Sequence, residues 1–420
     1  MVKILYNKIL SIISRVEKIV KVDLIYYLKG SFWMNMEQGV STLTAIILSI
    51  VFANLLSKET YGSYSYILTI ANLLAFTTLT SMNEAVTRSV AKGNNDSVIS
   101  ALYTKIRFGF FGSIISLAIA LYYFINNSLV LAICFLFVSL FIPFWPSLSI
   151  YSAFFNGKRN FGLSSIIGAA RNIITSFFLV MVIFFTRNIF LIILTYFLSF
   201  LLFDFFYLKK VINKFKLTNI RNPETISYGK YLSFVRIIGL INSNIDKILI
   251  WNLLGPVQVA VYSIALAPVD KIKGTIGNIK SLAFPKFSLA PQNQMQKTLM
   301  GKMLKLFFIL IPVVATYIIF IPFLFKIFYP KYLDSIIYSQ ILSLTILATP
   351  EQLFTVYFKA HKMKKEIVIM SSVVPLINIL IMVFAGVFFG LIGLVIGRVL
   401  GFISYFPVAF YLFKFQKYKD

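Results

Sequence analysis

Acidic residues are scarce in this 420-residue sequence: 14 Asp and Glu stand against 40 Lys and Arg, a formal net charge of +26 at pH 7. Charge of either sign is also thin, at 13% of residues, about half the share usual in a soluble domain. Cysteine is reduced to Cys134, inside an apolar run, which excludes an intrachain disulfide and any CxxC site. The single histidine, His361, sits in the basic stretch 359–365, where solvation is its expected state. No P-loop, zinc motif or GxSxG elbow occurs, so this chain is not expected to hydrolyse ATP itself or to act as an α/β-hydrolase. No cleavable signal peptide is evident either.

What is abundant is apolar side chain. Hydrophobic residues make up 59% of the chain, with 44 Phe and 23 Tyr, and the mean hydropathy is +0.85. A water-soluble fold lacks the interior to hide so much apolar surface, so bilayer is the expected solvent. About 20 apolar residues are needed to cross the hydrocarbon core. Runs that meet this fall at 31–56, 63–84, 104–126, 128–153, 163–185 and 188–208, then at 231–254, 257–284, 303–328, 335–358, 366–389 and 391–413. One alternating set of connections, including both ends, carries 29 Lys and Arg; the other carries only Lys58, Arg187 and Lys331. That asymmetry places the first set in the cytoplasm. The fold class expected is therefore an all-α integral membrane protein of 12 transmembrane helices with both termini cytoplasmic.

The predicted organisation is an amphipathic basic N-terminal helix over 1–28, an N-lobe over 29–210, a basic cytoplasmic linker over 211–230, a C-lobe over 231–413 and a basic tail over 414–420. Two lobes are suggested by an internal repeat. Asn54-Leu55-Leu56 and Tyr64-Ser65 reappear as Asn252-Leu253-Leu254 and Tyr262-Ser263, both displaced by 198 residues, and Arg88 then falls on Lys286. Six spans separate the copies. An even number gives both the same topology, a parallel repeat about an axis along the membrane normal. All outward connections are a few residues long, which leaves no room for an external catalytic domain and argues against a membrane glycan polymerase or transferase.

The run Lys29-Gly30-Ser31-Phe32-Trp33, the stretch from Ala53 to Tyr64, and then Asn83-Glu84-Ala85 and Arg88-Ser89-Val90-Ala91 resemble the opening of polysaccharide transporters. These are the O-antigen and capsule repeat-unit flippases of the multidrug/oligosaccharidyl-lipid/polysaccharide exporter superfamily. Gly255-Pro256 through Tyr262-Ser263, ending at Ala283-Phe284-Pro285, fits the same pattern. The resemblance implies two six-helix lobes about a central cavity, alternating access, and an undecaprenyl-pyrophosphate-linked oligosaccharide as cargo in a bacterial cytoplasmic membrane. It leaves open a cation-coupled multidrug exporter and a peptidoglycan-precursor flippase. A polysaccharide polymerase and a chain-length regulator are possible partners; no nucleic acid partner is expected.

Ionisable groups within spans are costly, so they mark cavities or pair with each other. Substrate-binding candidates are Arg236, Lys273, Arg171, Arg398, Lys271 and Lys247, cations suited to a pyrophosphate. Ion-coupling candidates are Glu37, Asp246 and Glu351, for a proton or a sodium ion, with no other cofactor and no metal expected. The competing reading is local pairing, Asp246 with Lys247 and Asp270 with Lys271 or Lys273, and snorkelling for Lys280. Asp204 lies toward the inner end of its span, where interfacial anchoring is the expectation. Gly393, Gly397 and Gly401 form a small-residue face for helix packing.

Overall fold

The computed structural model describes residues 24–220, 222–289, 292–361 and 363–415. Most of the expected N-terminal amphipathic helix and of the basic tail lies outside these residues, as do the side chains of Lys280, Ala283, Phe284 and Pro285. Among the described residues every regular element is helical. In the first half these are α1 (Leu24–Leu55), α2 (Lys58–Leu74), α3 (Met82–Ala91), α4 (Ser97–Ile125), α5 (Leu129–Phe141), α6 (Tyr151–Gly157), α7 (Phe161–Phe185) and α8 (Ile189–Phe215). The second half holds α9 (Pro223–Val235), α10 (Ile237–Leu254), α11 (Pro256–Leu289), α12 (Gln292–Phe328), α13 (Ser335–Leu347), α14 (Gln352–Ala360), α15 (Lys364–Val368) and α16 (Val374–Lys414).

Among the described residues, eight helical segments are long and apolar enough to cross a membrane, and a ninth is added if Lys58–Thr78 and Met82–Ala91, bent by 45°, form one broken span. The longest of the eight, Lys365–Lys414, contains Gly390 at φ 61°, ψ −141°. Only glycine adopts that backbone readily, and it turns the chain back at the position where an outward connection was expected. The two arms of this hairpin pack closely: a Cβ on Gly401 would lie 1.6 Å from Asn378 Oδ1, and one on Gly393 2.0 Å from the Ala385 carbonyl oxygen.

Several spans break where the sequence offers no helix donor or a strained turn. Pro143 and Pro146 fall in the non-helical stretch between α5 and the 3-10 turn Leu148–Ile150, and Pro350 lies in the 3-10 turn Thr349–Glu351. In the low-dielectric interior, serines stitch helices together by donating to carbonyl groups. Ser335 and Ser339 reach Val261 and Ala265 of α11 at 3.0 and 2.8 Å, and Ser113 and Ser116 reach Ser139 and Phe135 of α5 at 2.6 and 2.8 Å.

The helices carrying the repeat start at Lys58 and Pro256, the same displacement of 198 residues found in the sequence, and they pack on each other. A Cβ on Gly62 would lie 1.9 Å from the Pro256 carbonyl oxygen, so the two backbones are in direct contact. Around that contact one hydrophobic core runs through both halves, from Phe52 and Ile67 to Tyr262, Phe325 and Leu394. Tyr66 stacks on Trp251 at 4.2 Å, and Trp251 Nε1 donates to Tyr123 at 3.1 Å. Asn54 donates to the Phe328 carbonyl at 2.8 Å, Lys331 donates to the Asn54 carbonyl at 2.6 Å, and Lys58 pairs with Asp334 at 3.6 Å.

At the other end the core divides. One cluster, with Met82, Val98 and Phe154, belongs to the first half, and another, with Leu299, Phe354 and Met370, to the second. The exception is α9. It begins within the stretch 211–230 expected to be a linker, and it docks on the first half: Gly229 meets Met82, Thr225 bonds Ser89 at 2.9 Å, and Ile226 joins the first-half core. The turn before it is tied down by Asp96, which accepts both the backbone N–H and the hydroxyl of Thr218 at 2.7 Å. Those two bonds hold the Asp96 carboxyl below the usual carboxylate range.

Candidate functional site

Where the two cores separate, a cavity of about 860 Å³ is found. It is built almost wholly from the first half, with Leu240 and Asn244 of α10 as the second half's share. Its polar positions are spread over the helices and include Glu37 and Gln38 on α1, Asn83 on α3, Lys105 on α4, Arg171 on α7 and Asp204 on α8. Trp145, Tyr196 and Phe200 supply aromatic faces beside them, the mixture of flat apolar surface and hydrogen-bonding groups that suits sugars and other polar organic ligands.

Each charge has a structural reason to be tolerated. Asp204 is 1% exposed, accepts a 2.7 Å hydrogen bond from Tyr151, and pairs with Arg171 at 3.4 Å. Arg171 also lies over the Phe200 ring, 5.2 Å from its centroid. Lys105 is fully buried, and its Nζ donates to Asn83 Oδ1 at 2.6 Å and to the Pro146 carbonyl at 3.1 Å. Pro146 cannot continue the helix, and the break it helps to make turns carbonyls of that stretch toward this ammonium. Glu37 fits because residue 168 is glycine: a Cβ there would stand 2.0 Å from Glu37 Oε1. Two carboxylates and two cations thus share the lining, with a formal sum of zero.

Of the binding and coupling candidates named from the sequence, Arg171 and Glu37 line this cavity. Arg236 sits at the break between α9 and α10 and pairs with Glu84 at 2.6 Å, both side chains more than half exposed. Arg398 and Asp246 are buried against each other, and Asp246 also accepts the Tyr262 hydroxyl. Both are committed to tying α10, α11 and α16 together, so Asp246 pairs across the bundle with Arg398 rather than with the adjacent Lys247 side chain. Asp270 acts on Lys247, Lys271 and Lys273, Glu351 acts on Lys273 as well, and Lys273 Nζ rests 3.7 Å above the Phe402 ring. With two carboxylates among three lysines, that cluster keeps a formal excess of one positive charge in the second half. Asn244 of the cavity lining and Lys247 are one helical turn apart on α10. Glu351 is buried in the 3-10 turn at the break between α13 and α14.

Two assignments from sequence change. Asp204 is not an interfacial anchor; α8 carries it inward to the Arg171 and Tyr151 contacts just described. Lys105, counted among the inner-loop bases, is two turns inside α4 and completely enclosed. Lys105, Asn83 and Tyr151 were missed as site residues. The one available signal was that Leu102 and Phe108 flank Lys105 a turn to either side, so its helix had already begun.

A profile of the family described as polysaccharide biosynthesis protein matches residues 27–290. A comparison with curated protein sequences found no match. Among solved structures, a MATE transporter in complex with MaL6 superposes with a TM-score of 0.63 at 14% identity, over 93% of this chain and 95% of that one. A MOP superfamily transporter from Pyrococcus furiosus superposes with a TM-score of 0.61 at 13% identity, over 93% and 95%. The lipid II flippase MurJ in an inward closed conformation gives 0.59 at 15% identity, over 93% and 88%. At such identities the likeness is one of fold, and it is the fold of multi-pass membrane transporters. The profile covers well over half of the sequence, and the chain belongs to the polysaccharide biosynthesis protein family.

Proposed function

We propose that this protein is a flippase that moves undecaprenyl-pyrophosphate-linked oligosaccharide repeat units from the inner to the outer leaflet of a bacterial cytoplasmic membrane by alternating access, for a surface polysaccharide such as O-antigen or capsule. In this reading all 12 expected segments span the bilayer, both termini face the cytoplasm, and residues 29–210 and 231–413 form the two lobes. The observation that carries it is the division of the core: one continuous cluster closes the end that this topology puts outside, while toward the other end, where the polar cavity lies, the core divides in two. That is the form expected of a carrier loading from the cytoplasm. The aromatic and hydrogen-bonding lining receives the glycan, and the lysines around Asp270 compensate the pyrophosphate. Glu37 and Asp204, held beside Arg171, are the groups through which a proton or sodium ion would couple. The neutral charge sum of the cavity gives no preference to a cationic drug.

The test is export by variants that still insert. Arg171→Ala and Lys273→Ala should each lower repeat-unit export by about tenfold or more, as loss of a charge-assisted contact predicts, while membrane levels stay at the parent value. Normal export by both would overturn the assignment of these cations.

A further inference from the structure

A second cavity lies on the lipid side of the same bend. It measures about 250 Å³ and is lined by Phe76, Thr77 and Leu79 at the α2–α3 bend, Phe108, Phe111 and Ile115 on α4, and Ser233, Phe234 and Ile237 at the α9–α10 break. Its polarity is lower than the residue names suggest. Thr77 donates to the Leu74 carbonyl and Ser233 to the Gly229 carbonyl, both at 2.8 Å, so both hydroxyls are spent on their own helices. The walls therefore offer carbon alone. Phe111, Ile115 and Phe234 are 58%, 42% and 60% exposed, on the face that the bilayer covers.

Its position gives the cleft meaning. Ala75 lines the polar cavity and Phe76 the cleft; Leu79 lines the cleft and Thr80 the cavity; Ile237 lines the cleft and Leu240 the cavity. Only the α2–α3 bend and the start of α10 separate the two spaces. An amphiphile with its polar head among Glu37, Arg171 and Lys105 would thus have a dry, aromatic-walled slot within one helical turn for the start of its tail. Lys230, 4.7 Å above the Phe108 ring, closes the cytoplasmic side of that slot with a cation.

We infer that this cleft between the α2–α3 bend, α4 and the α9–α10 break seats the proximal isoprenoid units of the lipid carrier while its head group occupies the polar cavity. The inference rests on the flippase reading and adds the side on which the tail lies: between the first half and α9–α10, where the chain breaks on both walls. Substrate then gains the apolar contact area of the cleft, which a head group without its chain cannot reach.

The experiment uses the full chain in phosphatidylcholine nanodiscs, with undecaprenyl pyrophosphate and chain-free inorganic pyrophosphate as probes. Ile115→Trp fills the mouth of the cleft from an exposed position, and Ile115→Ala enlarges it. In the parent and in Ile115→Ala the long-chain pyrophosphate should bind about tenfold or more tighter than the chain-free one. In Ile115→Trp that margin should fall below about threefold with inorganic pyrophosphate affinity unchanged, which also reports that the variant is folded. Membrane partitioning is common to all three proteins and cancels in the comparison. A long-chain margin untouched by Ile115→Trp would overturn the cleft as the tail seat, while leaving the flippase reading in place. Failure of the parent to bind either pyrophosphate would instead remove the head-group site, and both readings would fall.

Discussion

Single residues in this protein carry charge where the solvent cannot support it, and their partners determine what each can do. Arg398 and Asp246 have side chains 7% and 2% exposed. Removing one partner of so buried a pair strands the other, at a cost of about 3–5 kcal/mol. Arg398→Ala should therefore lower the unfolding midpoint in detergent sharply, and Arg398→Met combined with Asp246→Leu should recover most of the loss. If the single variant unfolds like the parent, the pair is not a structural tie. Lys105 makes a different prediction, because its ammonium holds both Asn83 and the Pro146 carbonyl. Lys105→Met leaves those groups without their donor inside the cavity wall, and transport should drop about tenfold or more, the order of one lost charge-assisted contact. Transport counts per inserted molecule would show this, and an unchanged rate would remove Lys105 from the site.

At the scale of helices, α2 and α11 meet backbone to backbone and leave no room for a side chain between them. With the Pro256 carbonyl 1.9 Å from where a Gly62 Cβ would stand, even Gly62→Ala should pry apart the end that the proposed topology puts outside. A cysteine at Asn54, in a Cys134→Ala background, should then react faster with an impermeant thiol reagent added outside; equal rates would mean that the two helices already part freely. The exposed Arg236–Glu84 pair is the inner counterpart, and Glu84→Gln should cost less than about 1 kcal/mol of stability. Much of this level was readable in advance. The runs at 31–56, 104–126, 163–185, 188–208 and 303–328, the 198-residue displacement and the turn at Gly390 reappear in the helices, whereas the runs at 63–84, 128–153, 231–254 and 335–358 are each interrupted. The docking of α9 on the first half was not readable, because Gly229 against Met82 and Thr225 against Ser89 are encounters across more than a hundred residues. The same holds for Asp204, whose partners Arg171 and Tyr151 lie on other helices, and for Asp246, which spacing paired with its neighbour Lys247 and the fold pairs with Arg398.

For the whole molecule, the division of the core is the feature that the function must use. One continuous cluster at one end and two at the other give two halves that, in the proposed mechanism, rock about their shared contact, with Glu37 and Arg171 lining the cavity between and Lys105 and Asp204 set into its wall. The account requires that a lipid-linked glycan placed in one leaflet reach the other. Purified protein in sealed proteoliposomes, loaded with an undecaprenyl-pyrophosphate-linked oligosaccharide and challenged from outside with an impermeant glycosidase, measures that directly. Protein-dependent digestion should proceed past the outer-leaflet half toward completion, and its rate should fall in Arg171→Ala. Digestion that stops at the half exposed from the start, under imposed proton and sodium gradients alike, would contradict the account.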